Sequence, residues 1–205
     1  MGVARILSYH LRVIPGPRRG LAAAAAGVFA FIALSFLPAA RALHYAKIGL
    51  SERGAALVWM APFAVLAALV YEGAVRGSLY RALGRRLAVG NAAPVVAFLG
   101  ALVPAALRLA ILPRGGAPPA VLAGHALLVE TGLGLGLALL ALGTGSTIPG
   151  GVAYGAIWAV RLGAAVTFHG AVVPVLETAA AWASALAVAI VLARPLAPFR
   201  EEVFG

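Results

Sequence analysis

The sequence predicts an all-α fold, a polytopic bundle of transmembrane helices. Three observations predict it. Hydrophobic residues make up 63% of the chain, and the mean hydropathy of +1.01 lies well above soluble usage. The apolar residues gather into runs of about twenty, the length needed to cross a hydrocarbon core. Most of the sixteen basic residues stand between those runs rather than inside them.

Residues 1–19 read as an amphipathic interfacial helix. Val3, Ile6, Leu7, Leu11 and Ile14 share one helical face, with Arg5 and Arg12 elsewhere, until Pro15-Gly16-Pro17 stops the helix. The bundle occupies residues 20–194, and residues 195–205 form a cytoplasmic tail. The first span covers Leu21–Ala40; Ala40-Arg41-Ala42 imitates a cleavage site, but the apolar run exceeds an ordinary signal core, so a retained anchor is expected. The second runs over Ala55–Val75 and continues as helix toward Arg85-Arg86. The third covers Leu87–Leu112, with a kink at Pro104. The fourth is Ala120–Leu142, the fifth Gly150–Phe168 and the sixth Leu176–Ala193, the last boundary blurred by Ala171–Val175.

Charge then gives orientation. Arg5, Arg12, Arg18 and Arg19 precede the first span, and Arg81, Arg85 and Arg86 follow the second; the other side carries Arg41, Lys47, Arg53 and Arg114. The positive-inside rule puts both termini in the cytoplasm. The biased composition, with Lys47 the sole lysine, suggests a GC-rich bacterial genome and hence the inner membrane. The net charge of +10 reads as topogenic charge and contact with anionic lipid. No basic patch is interleaved with exposed aromatics, so nucleic acid is not an expected partner. The expected surroundings are the lipid bilayer, with a membrane-bound peptide or protein as a further partner. Without cysteine there is no disulfide, thiolate metal site or Cys nucleophile. No cofactor and no metal are expected. Gly132-Leu-Gly-Leu-Gly136 and Gly151-Val-Ala-Tyr-Gly155 are small-xxx-small patterns that permit close helix contact.

The polar residues inside the spans carry the functional question. Glu72, Arg76, Arg108, His125, Glu130, Arg161, His169 and Glu177 lie within or beside apolar runs, where such groups face a bundle interior and pair with one another. Glu72 and Arg76 are one helical turn apart, so the arginine can neutralise the acid. For the others, the plain expectation is a set of Glu–Arg pairs and hydrogen-bonded histidines that fix helix order. A triad of Glu72, His125 and His169 would suit zinc or water activation. Topology argues against it: both histidines fall near the outer face, whereas Glu72 falls near the midplane at about 1.5 Å of rise per residue.

The stretch Tyr71-Glu72-Gly73-Ala74-Val75-Arg76-Gly77-Ser78-Leu79 resembles the Glu-Glu-x-x-x-Arg-Gly-x-Leu signature of the CAAX protease and bacteriocin-processing (CPBP) family of intramembrane endopeptidases. The resemblance covers about residues 55–160. The family's Phe-x-x-x-His falls on Pro104-Ala105-Ala106-Leu107-Arg108. Its His-x-x-x-Asn follows a turn like Thr144-Gly145-Ser146, which puts those positions at Tyr154 and Trp158. The resemblance implies Glu72 and Arg76 as catalytic residues, with Tyr71, Arg108, Tyr154 and Trp158 standing where the motif residues would be. A glutamate without its histidines lacks an oriented water and oxyanion support. The favoured expectation is therefore a relative with weak or lost peptidase activity, which binds a membrane partner. The alternative is an active endopeptidase with Glu72 as general base, and a more distant one a small transporter subunit. Arg108, which cannot shuttle a proton, is expected to clasp Glu72 or Glu130.

Overall fold

The computed structural model describes residues 17–44, 50–84, 86–87, 89–111, 118–167 and 174–192. The expected helix over residues 1–14, His169 and the tail 195–205 lie outside the described residues. Among those described, the chain is helical apart from short turns, without strands. Helix α1 spans Pro17–His44, so residues 17–19, expected to end the interfacial segment, instead begin the first long helix. Helix α2, Leu50–Tyr71, starts five residues before the expected span. It passes through a π-helical turn, Glu72–Arg76, into α3, Gly77–Gly84. The expected third span is two helices, α4 (Val89–Leu99) and α5 (Leu102–Ile111), broken at Gly100–Ala101. Then come α6 (Pro119–Thr144), α7 (Ile148–Thr167) and α8 (Pro174–Leu192).

Three helical stretches among the described residues are long and apolar enough to cross a membrane: Ala61–Leu83, Asn91–Ala110 and Pro119–Thr144. Gly20–Ser35 and Leu176–Leu192 are shorter apolar helices. Polarity is distributed as a membrane protein requires. Phe29, Phe63, Leu66, Val70, Val121, Leu186 and Ile190 are exposed, whereas Glu72, Arg76, Glu130, Arg161 and Glu177 are buried. Apolar side chains outward and ions inward is the arrangement lipid selects, because an ion facing hydrocarbon has no partner.

The helices pack mainly as α2 on α7, α1 on α8, α6 on α8 and α4 on α6. Glycines make the closest crossings possible. A Cβ on Gly155 would lie 2.4 Å from the Val65 Cα, and one on Gly151 would lie 2.9 Å from the Leu69 Cα, so this face of α7 meets the α2 backbone directly. On α6, Gly132 faces the Trp182 indole and Gly136 faces Ala185, which seats α8. Both small-xxx-small patterns therefore mark helix crossings. Between α6 and α7 the chain reverses at Gly145, whose φ of 65° is in the left-handed region that glycine adopts without strain. The Thr144 hydroxyl sits 2.6 Å from the Leu140 carbonyl, and the Ser146 hydroxyl accepts the Ile148 N–H at 3.2 Å, so side chains satisfy both helix ends at this turn.

Candidate functional site

The site begins with a break in regular geometry. In the π-helical turn the Gly77 N–H donates to the Glu72 carbonyl, five residues back rather than four. The expected α-helical turn is thus wider than foreseen, yet Arg76 Nη1 still donates to Glu72 Oε1. Both residues are 1% exposed. The Arg76 guanidinium lies in a slot that glycines leave open: a Cβ on Gly100 would come within 3.1 Å of its Nε, and one on Gly134 within 3.2 Å of its Nη2. On another side, Arg76 Cζ is 5.6 Å from the centroid of the Tyr154 ring, within cation–π range.

Tyr154 links this pair to a larger cluster. Its hydroxyl donates to Glu130 Oε2 at 2.6 Å. Arg161 Nη1 donates to the other oxygen, Oε1, also at 2.6 Å. Arg161 Nη2 lies 3.2 Å from Glu177 Oε1, and Arg108 Nη2 donates to Glu177 Oε2. Arg108 Nη1 stands 3.9 Å from Glu130 Oε1, and His125 Nε2 is 4.0 Å from Glu177 Oε2. The Arg161 guanidinium is flanked by Phe31 of α1 at 5.0 Å and by Trp158 at 5.6 Å. Four helices, α5 to α8, each contribute one full charge to this cluster, and a fifth, α1, covers it with an aromatic ring.

The charge balance is informative. Three carboxylates (Glu72, Glu130, Glu177) face three guanidiniums (Arg76, Arg108, Arg161), so these six buried charges cancel. Bringing such ions out of water is costly unless they are paired and hydrogen-bonded. Here every carboxylate has an arginine bonded to it.

The sequence-predicted residues thus divide clearly. Arg108, His125, Glu130, Arg161 and Glu177 come together; Glu72 joins them only through Arg76 and Tyr154. The expected Arg108–Glu72 clasp does not form, because Arg76 holds that carboxylate and α5 leads Arg108 to α8 instead. The alternative, Glu130, is at the margin of ion-pair distance. Glu72 and His125 do not share a site, and among the described residues no three His, Cys, Asp or Glu side chains are grouped as metal ligands.

Two contributors escape sequence reasoning. One is the Tyr154 hydroxyl, which no spacing rule connects to Glu130. The other is Tyr71, whose hydroxyl donates to the Gly100 carbonyl at 2.8 Å. Its signal is present in the sequence: Pro104 lacks an N–H, so the carbonyl four residues earlier, that of Gly100, loses its helical partner. Tyr71 supplies the missing donor. Tyr71→Phe is therefore expected to destabilise the protein by about 1–3 kcal/mol, the penalty for a buried polar group left unpaired. Thermal unfolding in detergent checks this; a change well below that range would show that the carbonyl finds another donor.

No family model, curated protein or solved structure matches the chain.

Proposed function

We propose that this chain is a multi-spanning membrane protein related to the CAAX-type intramembrane endopeptidases that hydrolyses no peptide, and that its charged core holds the helices while a membrane-bound peptide or protein is its partner. The observation that carries this reading is the occupation of Glu72. A general base needs a carboxylate oxygen free to take a proton from water and a second group to orient that water. Glu72 Oε1 instead accepts from Arg76, one turn away, and the whole residue is 1% exposed, which leaves little access for an attacking water. The positions where the resemblance would put histidines are Arg108 and Tyr154, and both are bonded to other carboxylates.

The test is a cleavage assay on purified protein in liposomes, with a prenylated CAAX peptide and a leader-type peptide as substrates. Wild type and Glu72→Gln are expected to give the same background. Cleavage by wild type that disappears in Glu72→Gln would overturn the reading and make Glu72 the catalytic base.

The proposal includes six spans in a bacterial inner membrane with both termini cytoplasmic, supported by the charge asymmetry across the apolar runs. The chain's lack of cysteine makes that simple to test. A cysteine at Arg86 is expected to react with an impermeant thiol reagent only from the cytoplasmic side, and one at Pro118 only from the outside. The opposite pattern would invert the topology.

A further inference from the structure

Helix α5 is attached unlike the other helices. It rests on α6, with no comparable packing against another element among the described residues. Its buried stripe is Ala101, Pro104, Ala105 and Arg108, whereas Leu102, Val103 and Leu107 are 47%, 51% and 50% exposed. The small side chains of that stripe bury less apolar area than a leucine or phenylalanine stripe would. What ties α5 beyond α6 is Arg108, bonded to Glu177 on α8 with Glu130 beyond it.

The other end of α5 is built to bend. At Gly100–Ala101 the regular backbone ladder fails twice: Ala101 N–H turns back to the Phe98 carbonyl at 3.0 Å, and Pro104 brings no N–H to Gly100. Tyr71, from α2, binds the Gly100 carbonyl and so fixes the pivot rather than the arm. Sharp helix breaks arise at such prolines and glycines.

The geometry points to α5 being a hinged arm, pivoting at Gly100–Ala101 and latched by Arg108 to Glu177, whose release opens the buried ion cluster sideways between α5 and α8. His125, with an 18% exposed side chain 4.0 Å from Glu177, belongs to the margin thus opened. The latch does not depend on whether the protein cleaves peptides, since none of its members is Glu72.

Electron–electron distance measurement between spin labels tests this in liposomes. One pair places cysteines at Leu107 on α5 and Leu186 on α8; the control pair uses Leu128 on α6 with the same Leu186, all three side chains being exposed. With Arg108 intact, both pairs are expected to give narrow distributions. Arg108→Gln is expected to broaden the α5–α8 pair and extend it by about 5 Å or more, the rise of one helical turn, while the α6–α8 pair stays narrow. Glu177→Gln weakens the same bond from the other side and is expected to shift the α5–α8 pair in the same sense. Pro104→Ala, which returns an N–H to the Gly100 carbonyl, is expected to narrow the Arg108→Gln distribution again. An unchanged α5–α8 distance in Arg108→Gln would remove the latch. Equal broadening of both pairs would mean that Arg108 holds the whole bundle and that α5 is no independent arm.

Discussion

Arg161→Ala is expected to lower the unfolding free energy by about 3–5 kcal/mol, the cost of leaving buried charge without its partner. Arg161 is the keystone of the cluster because it serves two acids, Glu130 at 2.6 Å and Glu177 at 3.2 Å, on two different helices. Without it, Arg108 would be the one arginine beside both carboxylates among the described residues, and the aromatic recess formed by Phe31 and Trp158 would lose its guanidinium. The double variant Arg161→Met with Glu130→Leu is the informative companion. It removes an acid together with a base, keeps the core electrically balanced, and so should recover much of the loss, because apolar replacement of a buried pair is often near neutral. Together with the single variants Arg161→Met and Glu130→Leu it completes a cycle that measures the coupling between the two groups. Equilibrium unfolding in mixed micelles, followed by tryptophan fluorescence, gives both numbers. A loss under about 1 kcal/mol for Arg161→Ala, the range of an exposed ion pair, would show that water reaches the cluster.

Gly155→Leu is expected to prevent stable assembly of α2 with α7, and Gly155→Ala to cost at least the 1–3 kcal/mol typical of overpacking. The cause is geometric. The added Cβ would meet the Val65 Cα at 2.4 Å, a backbone atom that no rotamer change can move. Carbon atoms at rest sit about 3.5–4.0 Å apart, so the helices must separate by more than an ångström along their contact. Gly124→Ala is the natural control. It sits in a helix with nothing within 4 Å of the new methyl, so alanine should be neutral or stabilise by up to about 1 kcal/mol through helix propensity. Thermal melts of the three variants decide the point; equal melting of Gly155→Ala and wild type would mean that the crossing is looser than the contact implies.

The parts of this structure that sequence makes legible are those governed by neighbours along the chain. Apolar runs mark the helical rods, Pro104 marks the break in the third, and the glycine repeats mark the crossings, since each depends on a local period or on one residue's backbone chemistry. The Glu72–Arg76 bond is legible for the same reason: four residues fix the geometry. The partner of Arg108 is not. Glu72, Glu130 and Glu177 are chemically equivalent candidates, and the choice falls to Glu177, 69 residues away, because α5 and α8 both pack on α6 and so bring the two side chains together. Nor does the sequence show that Tyr154 bonds to an acid, since a tyrosine on an apolar helix reads equally well as packing. The π-helical turn is equally hidden, as nothing in Glu-Gly-Ala-Val-Arg distinguishes it from an ordinary turn.

The order of the buried ions along the chain bears on how such a bundle is made. From α5 to α8 the signs alternate: Arg108, Glu130, Arg161, Glu177. A charged helix delivered alone into hydrocarbon is disfavoured by about 2.5–3.5 kcal/mol for a central Arg or Asp, but two consecutive helices leaving the ribosome as a hairpin carry opposite signs. Arg108 lies 3.9 Å from Glu130 within the α5–α6 pair and Arg161 lies 3.2 Å from Glu177 within the α7–α8 pair, so each pair of helices holds one base and one acid. The tighter bonds run between the two pairs of helices, from Arg161 to Glu130 and from Arg108 to Glu177, so charge holds the pairs to each other. Glu72 and Arg76 need no such companion, because a single helix carries both. Any arrangement that keeps consecutive helices together therefore keeps the four ions of α5 to α8 balanced, whereas one that parts α7 from α8 does not.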